Sequence, residues 1–389
     1  MKVKILKTYN FRLYPTLATI CLFLKTFGCC RKVYNNLLNI FNLEKNFKAV
    51  LEKEKTLKTE FPFLKEVDSI ALQQSRINLR SAVNNFFNKN TKSKNLKFKN
   101  RYSRQSYRTV TTNNNIKINF DTHELTLPKI GEVCFRDLRT FTGKIRQVSV
   151  SKSTTGKYYA SILVEEEREI NFPETITEDQ ALGLDMGLTH FLTSSEGEKV
   201  ESPNFYRKKE KKIKKCQKSL SKKKIGSNNY KKQKLKLARR NEKVKNRRSD
   251  FTHKLSTSKT KIYFALGAED LNISGMLRNH HLAKSLQDVA WGIFLKQLEY
   301  KSAWNGVYFL KVNRFFPSSK LCYNCDYKNI KMDLSVRVWT CPHCGLVLDR
   351  DINAAKNIKR EILSTLGIRG IYACGDSLSP KLCFEKSVA

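Results

Sequence analysis

Residues 181–192 read ALGLDMGLTHFL. Along an extended chain Leu182 and Leu184 point one way and Gly183 and Asp185 the other, so the run reads as a buried strand that carries a carboxylate. An ionised aspartate in so apolar a strand is costly unless a cation or a donor compensates it. Capping a turn at the strand end is the plainer role. Gly187, two residues on, would let a phosphate backbone come close. A second apolar strand, residues 261–271 (KIYFALGAEDL), ends in Glu269 and Asp270, sequence neighbours that face opposite sides when extended. A third acidic position lies in residues 349–363 (DRDINAAKNIKREIL), where Asp349 and Asp351 precede a helix starting near Asn353. Spacing does not choose between them, and either could be an N-cap. Two strand carboxylates and one at a helix start, in a basic protein, are the oxygen ligands that two Mg²⁺ ions need for in-line phosphodiester hydrolysis.

Between the second and third acids lie two C-x-x-C pairs, Cys322 with Cys325 and Cys341 with Cys344, separated by 15 residues. Each pair places two thiolates about one tetrahedral Zn²⁺, and the intervening stretch suits a β-hairpin that brings the knuckles together. Four thiolates leave no open position for water, so the zinc is expected to be structural. His343 is a substitute ligand that the quartet does not need. The other cysteines (Cys21, Cys29, Cys30, Cys134, Cys216, Cys374 and Cys383) lack ligand spacing.

Across its 389 residues the chain carries 74 Lys and Arg against 35 Asp and Glu, a formal charge of +39. Such a surplus repels itself unless a polyanion screens it, and nucleic acid is the natural partner. No apolar run approaches the roughly 20 residues of a spanning helix, so no membrane is expected. The N-terminus lacks the basic-then-apolar order of a signal peptide, which points to a cytoplasmic protein with reduced thiols.

Outward from the acids, residues 2–14 alternate like a strand ended by Pro15, and Leu17, Ile20, Leu24 and Phe27 open a helical pattern that Val33, Leu37 and Phe41 continue. A helix over 68–87 places Leu72, Leu79, Val83 and Phe86 on one face. Gln73, Arg76 and Arg80 lie on another, with chemistry suited to base edges; a solvated face is the plainer reading. Short alternating runs at 116–120, 124–127, 147–150 and 158–164 predict antiparallel sheet, which the first strand could join. The acidic run 165–180, with Pro173, suits a linker. From Arg207 to Arg248 there are 21 Lys or Arg against Glu210 and Glu242. Residues 230–248 predict a helix basic on nearly every face, and a helix or hairpin lying along a phosphate backbone explains the run better than a disordered loop. Its candidate contacts are Lys231, Lys234, Arg239, Arg240, Arg247 and Arg248. His190, His280, His281, Lys284, Arg314, Ser318 and Ser319 have packing or turn roles as ready as functional ones.

The stretches GLDMGLTHF (183–191), AEDLNISGMLRNHHLAKSLQDVAW (268–291), RFFPSSKLCYNCDY (314–327) and WTCPHCGLVLDRDINAAKNI (339–358) resemble those of TnpB, also called OrfB, the transposon-encoded RNA-guided nuclease family related to compact type V CRISPR effectors. The resemblance is specific over about 181–366 and weaker in FRLYP, TFGCCRKVYNNLL, SRQSYR and LPKIGEV. It implies an α/β chain whose RuvC-like nuclease domain, of ribonuclease H fold, spans 181–317 and 346–366. That domain would hold a basic helical insertion at 206–250 and a zinc ribbon at 318–345. The resemblance further implies a wedge-type β-barrel over 1–14 and 99–170, a helical recognition insertion over 15–98, a linker at 171–180 and a tail at 367–389. Carried over position by position, it places the magnesium-binding catalytic acids on Asp185, Glu269 and Asp351 and the zinc ligands on Cys322, Cys325, Cys341 and Cys344. It implies a guide RNA drawn from the transposon end and cleavage of double-stranded target DNA beside a short motif, with specificity supplied by base pairing. The alternative is a guide-RNA-directed DNA-binding regulator without cleavage, which would be expected to have lost acids present here. A DDE transposase is disfavoured by the ribbon placed before the last acid, and a zinc-ribbon protein that coats nucleic acid would leave the strand acids unexplained.

Overall fold

The computed structural model describes residues 2–88, 95–279, 285, 288–333 and 335–367. His280, His281, Lys284, Cys374, Cys383 and the tail beyond Gly367 lie outside the described residues. Two compact units form, Lys2–Arg168 and the chain from Glu169 onward.

In the first unit, β1 (Lys2–Leu13) buries Ile5, Tyr9, Phe11 and Leu13. Thr16 then caps α1 (Leu17–Glu44), accepting from the Thr19 N–H at 3.3 Å. The inward stripe of α1 is Phe23, Phe27, Cys30, Tyr34, Leu37 and Phe41. It packs with α3 (Ser69–Phe87), whose cap Asp68 accepts from the Ile70 N–H at 3.0 Å. The other Asp68 oxygen accepts from Thr109 Oγ1 at 2.5 Å and ties α3 to β2 (Gln105–Val110). Between the two, α2 (Phe47–Glu60) buries only Val50 and Leu57. Phe86, expected on the inner face of α3, is exposed near the helix end.

Strands β3 (Lys117–Asn119), β4 (Glu124–Leu127) and β5 (Gly131–Cys134) form an antiparallel meander. A four-stranded sheet has the order β1-β7-β6-β2, where β6 (Lys144–Lys152) is antiparallel to β2 and to β7 (Tyr158–Glu169). The two sheets meet where Leu13 bridges Phe135. The acidic run read as the start of a linker is strand up to Glu169. Glu166 is buried, accepting hydrogen bonds from Tyr9 and Arg168, and Glu165 pairs with Arg146. Local partners, rather than solvent, take up those charges.

In the second unit, β8 (Ala181–Asp185), β9 (His190–Ser194), β10 (Lys199–Glu201), β11 (Ala265–Glu269) and β12 (Tyr308–Val312) form a mixed sheet of order β10-β9-β8-β11-β12. β11 is parallel to both β8 and β12, while β9 is antiparallel to β8 and to β10. The helices are α4 (Glu210–Ser221), α5 (Asn228–Ile262), the short α6 (Ile273–Met276), α7 (Trp291–Asn305) and α8 (Arg350–Thr365). Leu182, Leu184, Leu266 and Ala268 pack with Trp291, Phe294 and Leu298 of α7. Ala181, Ala265 and Val312 pack with Ile358, Ile362 and Leu363 of α8. Helices therefore cover both faces of the sheet, as its apolar strands require. α8 rests almost on the sheet backbone: a Cβ at Gly183 would lie 1.9 Å from the Ala355 carbonyl oxygen, and one at Gly267 2.8 Å from the Ile362 side chain. Among the described residues no helix is long and apolar enough to cross a membrane.

Candidate active site and metal centre

The sheet fixes where its acids emerge. Leu184 lies opposite Ala268 in the parallel ladder, so the next residues, Asp185 and Glu269, leave neighbouring strand ends. Gly183 and Gly267 face α8, and the two-residue period carries Asp185 and Glu269 to that same side. Asp351 stands in the first turn of α8. The Asp185 carboxyl is pushed up to about 8, first by burial and then by the negative charges of Glu269 and Asp351; Arg350 and the Met186 N–H act the other way. Asp185 therefore lies near enough to Glu269 on the next strand and to Asp351 on α8 for their charges to oppose its ionisation. A hard divalent cation fits such a donor set.

The neighbouring acids are engaged elsewhere. Asp270 faces away and holds Arg314, whose Nη2 donates to its carboxylate at 2.8 Å and whose Nε donates to its carbonyl oxygen at 3.1 Å. Asp349 caps α8, accepting the N–H groups of Asp351 and Ile352 at 3.1 Å each, and takes Lys199 Nζ at 2.6 Å. Burial works to raise the Asp349 carboxyl, but Lys199 and those N–H groups hold it below the usual carboxylate range. Asp351 meets a longer approach from Arg337, at 3.7 Å. Gly187 is required by the β8–β9 turn itself, because a Cβ there would sit 2.9 Å from the His190 carbonyl oxygen.

Ser318 is one of several serines and basic residues whose function cannot be chosen from sequence. It is buried, and its Oγ donates to Glu269 Oε1 at 2.5 Å. Asn353 and Asn357, both fully buried on α8, grip the chain around it. Their spacing of four on one helix face in NAAKN is the available signal; their partners are far off in sequence.

The four cysteine sulfurs all lie within 4.8 Å of one another. Cys322 and Cys344 are 3.8 Å apart, Cys325 and Cys341 3.5 Å, close to the roughly 3.8 Å between sulfurs that each sit about 2.3 Å from a tetrahedral zinc. The Leu346 N–H and the Asn324 side chain hold the Cys344 thiol down to about 6, while, against the Tyr327 N–H, burial and the neighbouring cysteines push that of Cys325 up to about 12. The donor set fits zinc. Around it Met332, Trp339 and Leu348 form a small core with the hairpin β13 (Val338–Thr340) and β14 (Val347–Asp349). Gly345 turns at φ +71°, and Asp326 takes the matching left-handed turn at φ +60° after the first pair, held by Arg360. His343 is exposed.

The basic residues divide by role. On α5, Lys231, Lys234, Arg239 and Arg247 are exposed, whereas Arg240 Nη1 donates to the Lys212 carbonyl at 2.6 Å and Arg248 pairs with buried Asp288 at 3.2 Å. α4 and the first half of α5 pack as a hairpin that buries Ile213 and Cys216, with Gln233 Nε2 donating to the Cys216 carbonyl at 3.1 Å. On α3, Gln73 and Arg80 are exposed, Arg80 over the Phe47 ring, while Arg76 turns to Glu54 at 2.5 Å.

A family profile described as "Probable transposase" (OrfB_IS605) matches residues 161–280, and one described as "Cas12f1-like, TNB domain" matches 291–358. A third, "Helix-turn-helix domain", matches 1–42, of which the described residues form a strand, Lys2–Leu13, and most of one unbroken helix. A Streptomyces pristinaespiralis protein named "Putative RNA-guided DNA endonuclease" is 35% identical, covering 98% of this chain and 94% of its own. A relative from Escherichia coli K12, with the same name and the suffix InsQ, is 30% identical over 96% of this chain and 95% of its own. The Cas12f1 chain in a structure titled "Cryo-EM structure of the Cas12f1-sgRNA-target DNA complex" shares the mixed α/β fold at a TM-score of 0.54 and 13% identity, covering 92% of this chain and 99% of that one.

Proposed function

This chain belongs to the OrfB/TnpB family of RNA-guided DNA endonucleases, and from that premise we propose that it is a transposon-encoded nuclease that cleaves guide-selected DNA beside a short motif at Asp185, Glu269 and Asp351. The observation that carries the reading is that Asp185 and Glu269 leave neighbouring strand ends and that Asp185 feels the charge of Asp351 on α8, with Asp270 and Asp349 engaged elsewhere. The sheet order β10-β9-β8-β11-β12, three antiparallel strands followed by two more parallel to the first, supports a RuvC-like domain of ribonuclease H fold. Magnesium held there would activate the attacking water and steady the leaving oxygen. The chain's own part is to bring the carboxylates together on a rigid sheet and helix and to hold the nucleic acid in place.

For that holding we propose the exposed cations of the α4–α5 hairpin as phosphate contacts. The unit Lys2–Arg168 is read as a wedge-type barrel with a helical insertion whose Gln73 and Arg80 are exposed to nucleic acid. The ribbon over 318–345 keeps its knuckles together by zinc. Guide RNA and target DNA are the partners, and pairing between them selects the site.

Four alanine variants test the site. Asp185→Ala, Glu269→Ala and Asp351→Ala should each abolish Mg²⁺-dependent cleavage while leaving target binding within about twofold. Asp349→Ala should keep substantial activity and lose about 1 kcal/mol of stability with its cap. Normal cutting by the first three would overturn the assignment of these acids, whereas a parent protein that binds its target and does not cut it would belong with the guide-directed DNA-binding regulators.

A further inference from the structure

The residues that join the second acid to the third acid's helix form one continuous chain of hydrogen bonds. Ser318, 3% exposed, donates from Oγ to Glu269 Oε1 at 2.5 Å. Its own carbonyl oxygen accepts from Asn357 Nδ2 at 2.8 Å. The Asn353 and Asn357 amides also hold the Leu321 carbonyl, at 2.7 and 2.6 Å, and Asn353 Oδ1 accepts from the Tyr323 N–H at 3.0 Å. Leu321 directly precedes Cys322, the first zinc ligand. Both asparagines are buried on α8, two and six residues beyond Asp351.

A carboxylate on a strand end has free rotation about its side-chain bonds unless a neighbour fixes it. Here a buried hydroxyl does so, and that hydroxyl is placed by amides whose helix also carries Asp351. Among the described residues no other hydrogen bond falls on the Glu269 side chain, leaving Oε2 for a cation. We infer that Ser318 is a positioning residue for the metal site, orienting Glu269, with Asn353 and Asn357 setting Ser318 and so linking the entry of the zinc ribbon to the acids. The inference rests on the reading of Glu269 as a metal-binding acid. Removing a partner that orients a ligand weakens metal binding without removing the ligand, commonly by about 10-fold to 100-fold.

The test is Mn²⁺ binding to the purified protein–RNA complex, followed by the paramagnetic signal of free Mn²⁺, beside the Mg²⁺ concentration that half-saturates cleavage. Ser318→Ala should weaken Mn²⁺ binding about tenfold and raise the half-saturating Mg²⁺ to match, with target binding and melting temperature unchanged. Ser318→Thr, which keeps the hydroxyl, should return both to within about twofold of the parent. Parental Mn²⁺ affinity in Ser318→Ala overturns the inference, as does a Thr variant no better than Ala at unchanged melting temperature. Glu269→Ala separates the two levels. If it loses metal and activity while Ser318→Ala does not, only the positioning role fails; if it binds Mn²⁺ and cuts like the parent, the reading of Glu269 falls and takes this inference with it.

Discussion

Asp185 is readable as an acid out of place in an apolar strand, and the fold shows how far out of place. With its carboxyl near 8 in the fold, against roughly 3.9 for a free aspartate, the folded protein holds a proton that the unfolded chain gives up. Without divalent metal, this group's contribution to stability therefore falls as pH rises from about 4 to about 8. Thermal unfolding in chelator should show Asp185→Asn more stable than the parent at pH 8, with the difference gone at pH 4; an equal gap at both pH values would contradict the assignment. Mg²⁺ should raise the parent's melting temperature at pH 8 and leave that of Asp185→Asn nearly unmoved. Glu269 and Asp270, like Asp349 and Asp351, cannot be separated by spacing. What separates them is the partner each meets: Arg314 for Asp270, and Lys199 with the α8 N–H groups for Asp349. Arg314 and Lys199 are remote in sequence and carry no local signal, and the capped N–H groups, though local, would serve either acid as an N-cap. Ser318 is hidden in the sequence for the same reason.

At the scale of elements, β1, α1 and α3 are legible because one face of each is apolar at a clean period. α2 buries two side chains and leaves almost no pattern, and β2 (QSYRTV) alternates only once its sheet neighbours are known. The sequence predicts the basic helix over 230–248; it runs on to Ile262 because buried Thr252, Ser256 and Thr260 continue its inner face with small polar groups that a hydrophobic period does not detect. Lys301 Nζ, 2.7 Å from Ser256 Oγ, marks that polar contact between α5 and α7. Neutralising Lys231, Lys234, Arg239 and Arg247 should flatten the salt dependence of RNA binding, by up to about 0.9 in the logarithmic slope for each phosphate that is no longer neutralised. Arg248→Ala should instead lower stability by leaving buried Asp288 without its guanidinium. An unchanged slope in the fourfold variant would make this face a solvated surface. Gly183→Ala puts a methyl into the Ala355 carbonyl and should destabilise by about 1–3 kcal/mol in urea unfolding, with a further loss of cleavage as α8 and Asp351 lift from β8. A neutral Gly183→Ala would mean that the close helix–sheet approach does not set the site. The ribbon should hold about one zinc per chain by metal analysis, and Cys341→Ser should release it.

For the molecule as a whole, charge and cysteine spacing are the most legible features, since neither depends on folding: +39 over 389 residues calls for a polyanion, and two C-x-x-C pairs call for a metal. Under the proposed function the pairing of guide and target is the least legible feature, because it would be delegated to RNA and no side chain would encode it. That delegation makes RNA guidance testable in a single experiment. The protein is purified with its RNA, the guide segment of that RNA is exchanged for an unrelated sequence, and cleavage of plasmids carrying either target beside the same flanking motif is mapped in Mg²⁺. The cut should move to the new target, follow the new guide alone, and vanish in Asp185→Ala although that complex still binds the target. Cleavage that ignores the exchanged guide, or that persists without Asp185, would refute the proposed function.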